Sequence, residues 1–349
     1  AVREARKAEE VKSFVLGLWQ RSDPNSVQGE EPSARQLLDL GAERVERELA
    51  GQPELQAEML SFIGTIYETL GHYGEGRRLL ERALELRRSL WGESHPSVAD
   101  TLYRLAAIDY SEGKYEDAER RYREAWRLRR GLLGEADLAT VLSQSYLGRV
   151  LLERGELDAA RELLEDALTT QRERGRGDDP ELANNLNALG RLHQLADSPE
   201  PAERFFWEAL EMRRRLFGEE HVQTAESRGN IATLLDARGR HVEAEAMYRE
   251  TLALDRRIYG PEHPELATDL SNLAVNLTSQ ERFGEAEALL RERSRFGAAL
   301  WATRAPSSHL RSTTWRAPSG ARDGQRRRCH WRARRWRGPR RCSAEITPT

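Results

Sequence analysis

The feature that most constrains this chain is a self-similarity with a period of 42 residues. One column of this repeat consists of the glycines Gly71, Gly113, Gly155 and Gly239. A second column consists of the small residues Gly76, Ala118, Ala160, Ala202, Ala244 and Ala286. A fixed period of this size is typical of repeat architectures, in which each unit is one supersecondary element that buries its apolar face against its neighbours.

Each unit contains two stretches with helical spacing. In the second unit, the apolar residues of the first stretch are Val98, Leu102, Leu105 and Ala106. Those of the second stretch are Ala118, Tyr122, Ala125 and Leu128. Residues three and four apart share one face of a helix, so both stretches are amphipathic helices. The alanines allow two helix backbones to approach closely, and the pattern predicts an all-α stack of helix pairs.

The junctions between units carry prolines at Pro96, Pro180 and Pro264, which suit the first position of a helix because no backbone donor is needed there. The residue before that position is His95, Asp137, Asp179, His221 or His263. Aspartate is a good helix N-cap, and we predict the same role for the histidines. A metal site is the alternative, but histidines about one repeat apart cannot converge on one ion. The sequence predicts no metal and no cofactor.

The repeats resemble tetratricopeptide repeats of the 42-residue, kinesin-light-chain-like type. The segments that show it are "LGRVLLERGELDAARELLEDAL", "GNIATLLDARGRHVEAEAMYRETLAL" and "YGPEHPELATDLSNLAVNL". The resemblance covers about Glu54 to Arg291 and implies a right-handed α-solenoid over residues 53–295, with five full units and most of a sixth. In the fourth unit "LADSPEPAE" replaces the glycine turn, so we expect a distorted connection there.

In such arrays the first helix of each unit lines a concave groove. By resemblance to the family, the candidate peptide-binding residues are Tyr103, Tyr110, Arg149, Asn184, Asn187, Arg191, Asn230 and Asn272. Asparagine can pair with the backbone of an extended peptide, the two arginines can hold a carboxylate, and the tyrosines offer flat contact area. The alternative interpretation is a solvated helix face. The expected function is a scaffold that binds a protein or peptide.

Residues 1–52 lie outside the period. "EARKAEEVKSFVLGLW" and "SARQLLDLGAERVEREL" predict two capping helices, the second opening with the capping-box spacing Ser33 to Gln36. This segment resembles the linker of bacterial serine/threonine kinases that carry such repeats. The alternative function is therefore a regulatory or substrate-recruiting region of a kinase whose catalytic domain lies outside this chain. Since the sequence contains no kinase, Walker A, GxSxG or HExxH motif, we expect no enzyme activity here.

Composition restricts the compartment and the partners further. Both cysteines, Cys329 and Cys342, lie near the carboxyl end, without the spacing of a disulfide framework or a zinc cluster. A reducing compartment follows by default, and we expect a cytoplasmic protein. No stretch has the apolar length of a membrane span, so a membrane is not an expected partner. The sequence does not indicate an oligomeric state.

Residues 296–349 form an Arg/Trp-rich tail that includes "QRRRCHWRARRWRGPRR". Such a segment can bind nucleic acid through its guanidinium groups and indoles, which is the third candidate function. We favour a different interpretation, a disordered tail that is an out-of-frame reading of a further repeat. With suitable codons, a one-nucleotide shift turns "RSTTWR" into a sequence containing Asn-Leu-Ala, 42 codons after Asn272-Leu273-Ala274. Nucleic acid is then not an expected partner.

Overall fold

The computed structural model describes residues 33–303, apart from positions 176, 262, 264 and 265 and the side chains of positions 34 and 296–303. This part of the chain forms thirteen α-helices. They are α1 (Ala34–Glu48), α2 (Pro53–Thr69), α3 (Tyr73–Trp91), α4 (Pro96–Ser111), α5 (Tyr115–Leu133), α6 (Leu138–Glu153), α7 (Leu157–Glu173), α8 (Pro180–Leu195), α9 (Pro199–Phe217), α10 (Val222–Ala237), α11 (His241–Tyr259), α12 (Leu266–Ser279) and α13 (Phe283–Thr303). The predicted all-α class is confirmed.

From α2 onward the helices form six antiparallel pairs, which we call units 1 to 6, and the second helix of each unit packs against the first helix of the next. Among neighbouring units, the first helices come into closer contact than the second helices do. The array is therefore a right-handed α-solenoid whose inner side is lined by first helices. Small residues keep the helices close: Ala106, Ala118 and Ala125 are completely buried, as predicted.

Helix α1 packs on unit 1 as a cap. Ser33 and Gln36 form the predicted capping box, in which the Ser33 hydroxyl accepts from the Gln36 N–H and the Gln36 side chain accepts from the Ser33 N–H. Val45 is buried against α2, and the Tyr67 hydroxyl donates to Asp39 at 2.6 Å. The first predicted amino-terminal helix and the tail after residue 303 lie outside the described residues.

The prediction of a distorted turn in unit 4 is wrong. The turn from α8 to α9 has the same length as the turn from α4 to α5. Asp197 takes the left-handed conformation, with φ at 53°, that Gly113 takes in unit 2 at 74°. The Ser198 N–H also closes the turn onto the His193 carbonyl at 2.8 Å, as in the other units. Aspartate tolerates this backbone region better than most residues, so the repeat geometry survives without the glycine.

The histidines before the first helices act as N-caps where their contacts are seen. His95 Nδ1 accepts from the Ser97 N–H at 3.2 Å, and His221 Nδ1 accepts from the Gln223 N–H at the same distance. Asp137 caps α6 in the same way, through the Ala139 N–H. Each histidine ring also stacks on the last aromatic residue of the preceding helix, at 4.5 Å for Trp91 and His95. The capping prediction is thus confirmed for these positions.

A buried polar side chain connects each of several units to the next. Arg129, near the end of α5, donates to the Ala139 carbonyl at 3.0 Å and to the Ser143 hydroxyl at 2.7 Å. Arg213 makes the corresponding bonds to α10, one of them to the Ser227 hydroxyl at 2.9 Å. These hydrogen bonds satisfy the terminal nitrogens of guanidinium groups that are otherwise out of reach of water, whereas the Nε atoms of Arg129 and Arg213 are buried without a partner among the described residues.

Candidate functional site

The groove-side residues of units 2 and 3 form an aromatic cluster. Tyr103 on α4 and Tyr146 on α6 meet edge to face, with ring centroids 5.5 Å apart. Tyr122 on α5 lies beneath both rings, 5.3 Å from Tyr103 and 5.6 Å from Tyr146. Such pairs contribute about 0.5–1.5 kcal/mol each beyond simple burial, so the cluster is a rigid, partly exposed platform.

Arg149 extends this platform. Its guanidinium carbon lies 4.5 Å from the Tyr146 ring centroid and 5.6 Å from that of Tyr110. A cation over an aromatic face is attracted by the ring quadrupole. In the described part of the chain, no carboxylate forms an ion pair with Arg149. The guanidinium is therefore held in place by aromatic rings and keeps its charge available.

Arg191 differs from Arg149 although both were predicted to hold a carboxylate. Arg191 donates to Glu153 at 2.7 Å, and the Tyr110 hydroxyl donates to the same carboxylate at 3.3 Å. Burial raises the pKa of Glu153, but the hydrogen bonds from Arg191 and Tyr110 and the positive charges of Arg191 and Arg149 together outweigh it and leave that pKa below its ordinary value. Glu153 is therefore ionised near neutral pH and already compensates the charge of Arg191.

Two of the predicted asparagines are used inside the protein. The Asn184 carbonyl oxygen accepts from Arg213 at 2.8 Å. Asn187 is buried, donates to Glu226 at 3.5 Å and accepts from the Asn230 amide at 2.9 Å. The structure thus brings Asn187 and Asn230 together as a pair bridging α8 and α10.

The remaining asparagine positions are better placed for a ligand. Asn230 donates one amide N–H to Asn187, and within the described residues its carbonyl oxygen has no hydrogen-bond partner. Asn272, on α12, is half-buried and forms no hydrogen bond to the described residues. These two side chains occupy neighbouring first helices, so they could contact successive parts of an extended chain.

Sequence reasoning missed three residues of this surface: Tyr146, Glu153 and Glu181. Glu181 accepts from the Tyr146 hydroxyl at 3.5 Å and from the Asn184 amide at 3.4 Å. Tyr146 and Glu153 belong to no recurring column, and Glu181 recurs only as Glu265, 84 residues later, so the period does not indicate them as groove residues. The polar inner face of α6 and α8 is their only sequence signal.

Within the region that the structure describes, no group of three or more His, Cys, Asp or Glu side chains is arranged to hold a metal ion. None of the helices in that region is both long and apolar enough to cross a membrane.

Comparison with known proteins agrees with the repeat geometry. The family model for the tetratricopeptide repeat matches residues 55–131, 137–215, 202–257 and 237–296. The chain belongs to the tetratricopeptide repeat family. No curated protein matches the sequence.

Several solved tetratricopeptide structures are similar to this one. BtubC (BKLC) from P. vanneervenii has 24% identity and a TM-score of 0.55, covering 70% of this chain and 97% of that one. Nearly identical TPR-like repeats of a kinesin light chain candidate from Podosopora anserina have 21% identity and a TM-score of 0.50, covering 60% and 99%. The Rap conjugation gene regulator of plasmid pLS20, in complex with the Phr* peptide, has 17% identity and a TM-score of 0.52, covering 74% of this chain and 79% of that one. These likenesses confirm the tetratricopeptide fold and the kinesin-light-chain-like resemblance.

Proposed function

We propose that this chain is a non-catalytic scaffold that binds a peptide or protein segment along the first helices of units 2–6, with an acidic side chain of the partner paired to Arg149. Tetratricopeptide repeats are generally protein interaction modules. The observation that supports the acidic preference is Arg149, which is fixed on Tyr146 and Tyr110 without an ion-pair partner among the described residues.

A partly buried cation favours a counterion. Removing a guanidinium from water without pairing it is costly, and a ligand carboxylate returns that energy through charge-assisted hydrogen bonds. Arg191 has less to gain because Glu153 already lies 2.7 Å from it. The groove therefore has one preferred anion position, at units 2 and 3.

The asparagines of units 5 and 6 supply the second half of the proposal. Asn230 and Asn272 offer an amide oxygen or a whole amide group to an extended backbone, whose N–H and C=O groups need partners when they leave water. The Rap regulator, which shares this fold at low identity, has been solved with a bound peptide. A peptide in the present groove is consistent with that precedent.

A displayed library of random peptides, selected on the full chain, tests the proposal. We expect selected peptides to be enriched in Asp and Glu and to bind Arg149→Ala about 10- to 100-fold more weakly, since a charged hydrogen bond contributes about 1.5–3 kcal/mol. Arg149→Lys should recover only part of the affinity, because lysine keeps the charge and loses the stacked, forked geometry.

The matched control is Arg82→Ala on α3, a second helix, where Arg82 pairs with Glu85 at the surface. It should bind the selected peptides as the unchanged protein does. Selected peptides without acidic residues, or equal affinity of Arg149→Ala and Arg82→Ala, would overturn the acidic preference. Selected peptides that do not compete with each other, and whose affinity is unchanged by substitutions at Asn230 and Asn272, would overturn the groove itself.

A further inference from the structure

A cavity of about 400 Å³ opens between α5 and α7, on the side of the array away from the groove, and α6 forms its floor. We call it the outer cavity. Thr140 and Gln144 of α6 line it. With 3.6 residues per turn, these two positions lie on the face of α6 opposite to Tyr146 and Arg149. The outer cavity is therefore separate from the groove proposed to bind the partner.

The outer cavity exists because unit 3 departs from the repeat at this face. At the positions of Thr140 and Gln144, other units have Val98 and Leu102, Leu182 and Leu186, or Leu266 and Leu270. Unit 5 is also polar there, but its Thr224 donates to the Gly218 carbonyl at 2.8 Å and its Arg228 pairs with Glu219. Only in unit 3, among these units, do the polar side chains face an open space.

The indole of Trp126 forms one wall of the outer cavity. The same column holds leucine at Leu84, Leu168, Leu210 and Leu252. Trp126 Nε1 is buried and has no hydrogen-bond partner within the described residues, and neither has the hydroxyl of Thr140, a side chain with 0% exposure. An indole N–H only donates, whereas a hydroxyl can donate or accept. A buried donor without a partner costs about 1–3 kcal/mol. Both atoms are covered in the free protein, so a small shift of the neighbouring side chains is needed before a ligand oxygen can accept from them, and that contact is then stabilising.

The rim of the outer cavity has free negative charge. At three equivalent positions elsewhere, an arginine of one second helix pairs with an acid of the next, as in Arg88 with Glu124 at 3.3 Å and Arg172 with Glu208 at 2.5 Å. Here Arg130 stacks over Trp126 and pairs with Glu135, as Arg88 does with Glu93, but it forms no ion pair with Asp166. Asp166 and Glu162 line the outer cavity and have no ion-pair partner in the described part of the chain.

We propose that the outer cavity binds a basic amino acid. The ligand carboxylate accepts from Trp126 Nε1 and the Thr140 hydroxyl, while its two cationic groups pair with Asp166 and Glu162. The volume lies within the range of about 300–1,000 Å³ that is typical of small-molecule sites. A neutral or acidic molecule of the same size leaves the two carboxylates unpaired, which makes the site selective for a cation.

Titration calorimetry of the full chain with L-arginine and L-lysine tests this assignment, with L-glutamate and agmatine as comparison ligands. We expect saturable binding of at least one basic amino acid and none of L-glutamate. Agmatine, which lacks the carboxylate, should bind at least about tenfold more weakly, because it leaves the Trp126 and Thr140 donors unsatisfied.

The repeat itself supplies variants that should fold. Trp126→Leu and Thr140→Val introduce the residues found at Leu84 and Val98. We expect them to keep or raise the thermal stability of the free protein and to abolish binding, while Asp166→Asn weakens binding at least about tenfold. Arg149→Ala, in the groove, should leave it unchanged. Absence of saturable binding by both basic amino acids, or unchanged binding in the Trp126→Leu, Thr140→Val double variant, would overturn the proposal.

Discussion

Phe206 occupies the space in which a side chain on Gly190 would have to stand. A Cβ atom built on Gly190 would lie 2.5 Å from a ring carbon of Phe206, well inside the contact distance of two carbon atoms. Helices α8 and α9 cross at this point, and the missing methyl group lets an aromatic ring fill the core of unit 4. The other units solve the same contact with different pairs, such as Gly148 with Leu164.

Gly190→Ala is therefore expected to destabilise the protein by about 1–2 kcal/mol. Alanine is the better helix former by about 1 kcal/mol, but overpacking a buried contact costs more. Gly229→Ala, also within a helix but with nothing within 4 Å of the added atom, should stabilise by about 0.5–1 kcal/mol. Denaturant midpoints of the two variants give the comparison, and a shift of the same sign in both would contradict the packing argument.

Asp109 is a buried charge between two arginines. Its side chain has 0% exposure, and it pairs with Arg77 at 2.8 Å and Arg121 at 2.5 Å. Asp109→Ala should destabilise by about 2 kcal/mol, below the range for a wholly buried pair, because both arginines keep other acidic partners and some access to water. Asp109→Leu, which matches Leu151 in the same column, should cost less. Thermal unfolding of both variants checks this order, and a leucine variant less stable than the alanine variant would contradict it.

His95 combines a cap with a ring contact. His95→Ala should destabilise by about 1–2 kcal/mol, since both the hydrogen bond to the Ser97 N–H and the stacking on Trp91 are lost. His95→Asp keeps a capping oxygen, as Asp137 and Asp179 do, and should recover part of that loss. Circular dichroism melts separate the two contributions. An aspartate variant no more stable than the alanine variant would leave stacking as the only role of this residue.

His193 makes the stability of the fold depend on pH. Burial lowers its pKa below the ordinary value of 6.5, and nearby Arg161 lowers it further. The unfolded chain then binds a proton before the folded protein does, so stability is lost as the pH falls below about 6.5. His193→Leu, which introduces the residue of Leu151 and Leu235, removes this contribution. As the pH falls from about 7.5 to about 5, the unfolding free energy should decrease less steeply in the variant than in the unchanged protein. Parallel curves of unfolding free energy against pH would contradict the assignment.

Much of this architecture is predictable because it depends on the average residue of each column. Small residues at Ala118 and Ala125 and caps such as Asp137 recur, and the period gives their positions directly. Asp197 shows the limit of that logic. The missing glycine suggested a distorted turn, but the turn depends on one backbone conformation, and aspartate can adopt it.

The groove and the outer cavity depend on residues that differ between units, and a period cannot indicate these. Asn187 was predicted to face a ligand, but its carbonyl oxygen accepts a hydrogen bond from the Asn230 amide, on the next first helix, at 2.9 Å. Similarly, Arg149 and Arg191 look equivalent in the sequence, and only the position of Glu153 distinguishes them. Such contacts join residues about 40 positions apart and depend on which rotamers face each other across a unit boundary.

The buried links between units also restrict the order in which units can follow one another. Arg129 is matched to the Ser143 hydroxyl of unit 3, whereas unit 3 ends in Gln171, which accepts from Asn185 of unit 4. A chimera that joined unit 2 directly to unit 4 would place Asn185 instead of a serine hydroxyl beside the Arg129 guanidinium, and the Asn185 amide would have to turn its carbonyl oxygen toward the arginine. The units share a fold, but a successor with a different polar group at the boundary fits only after its side chains rearrange.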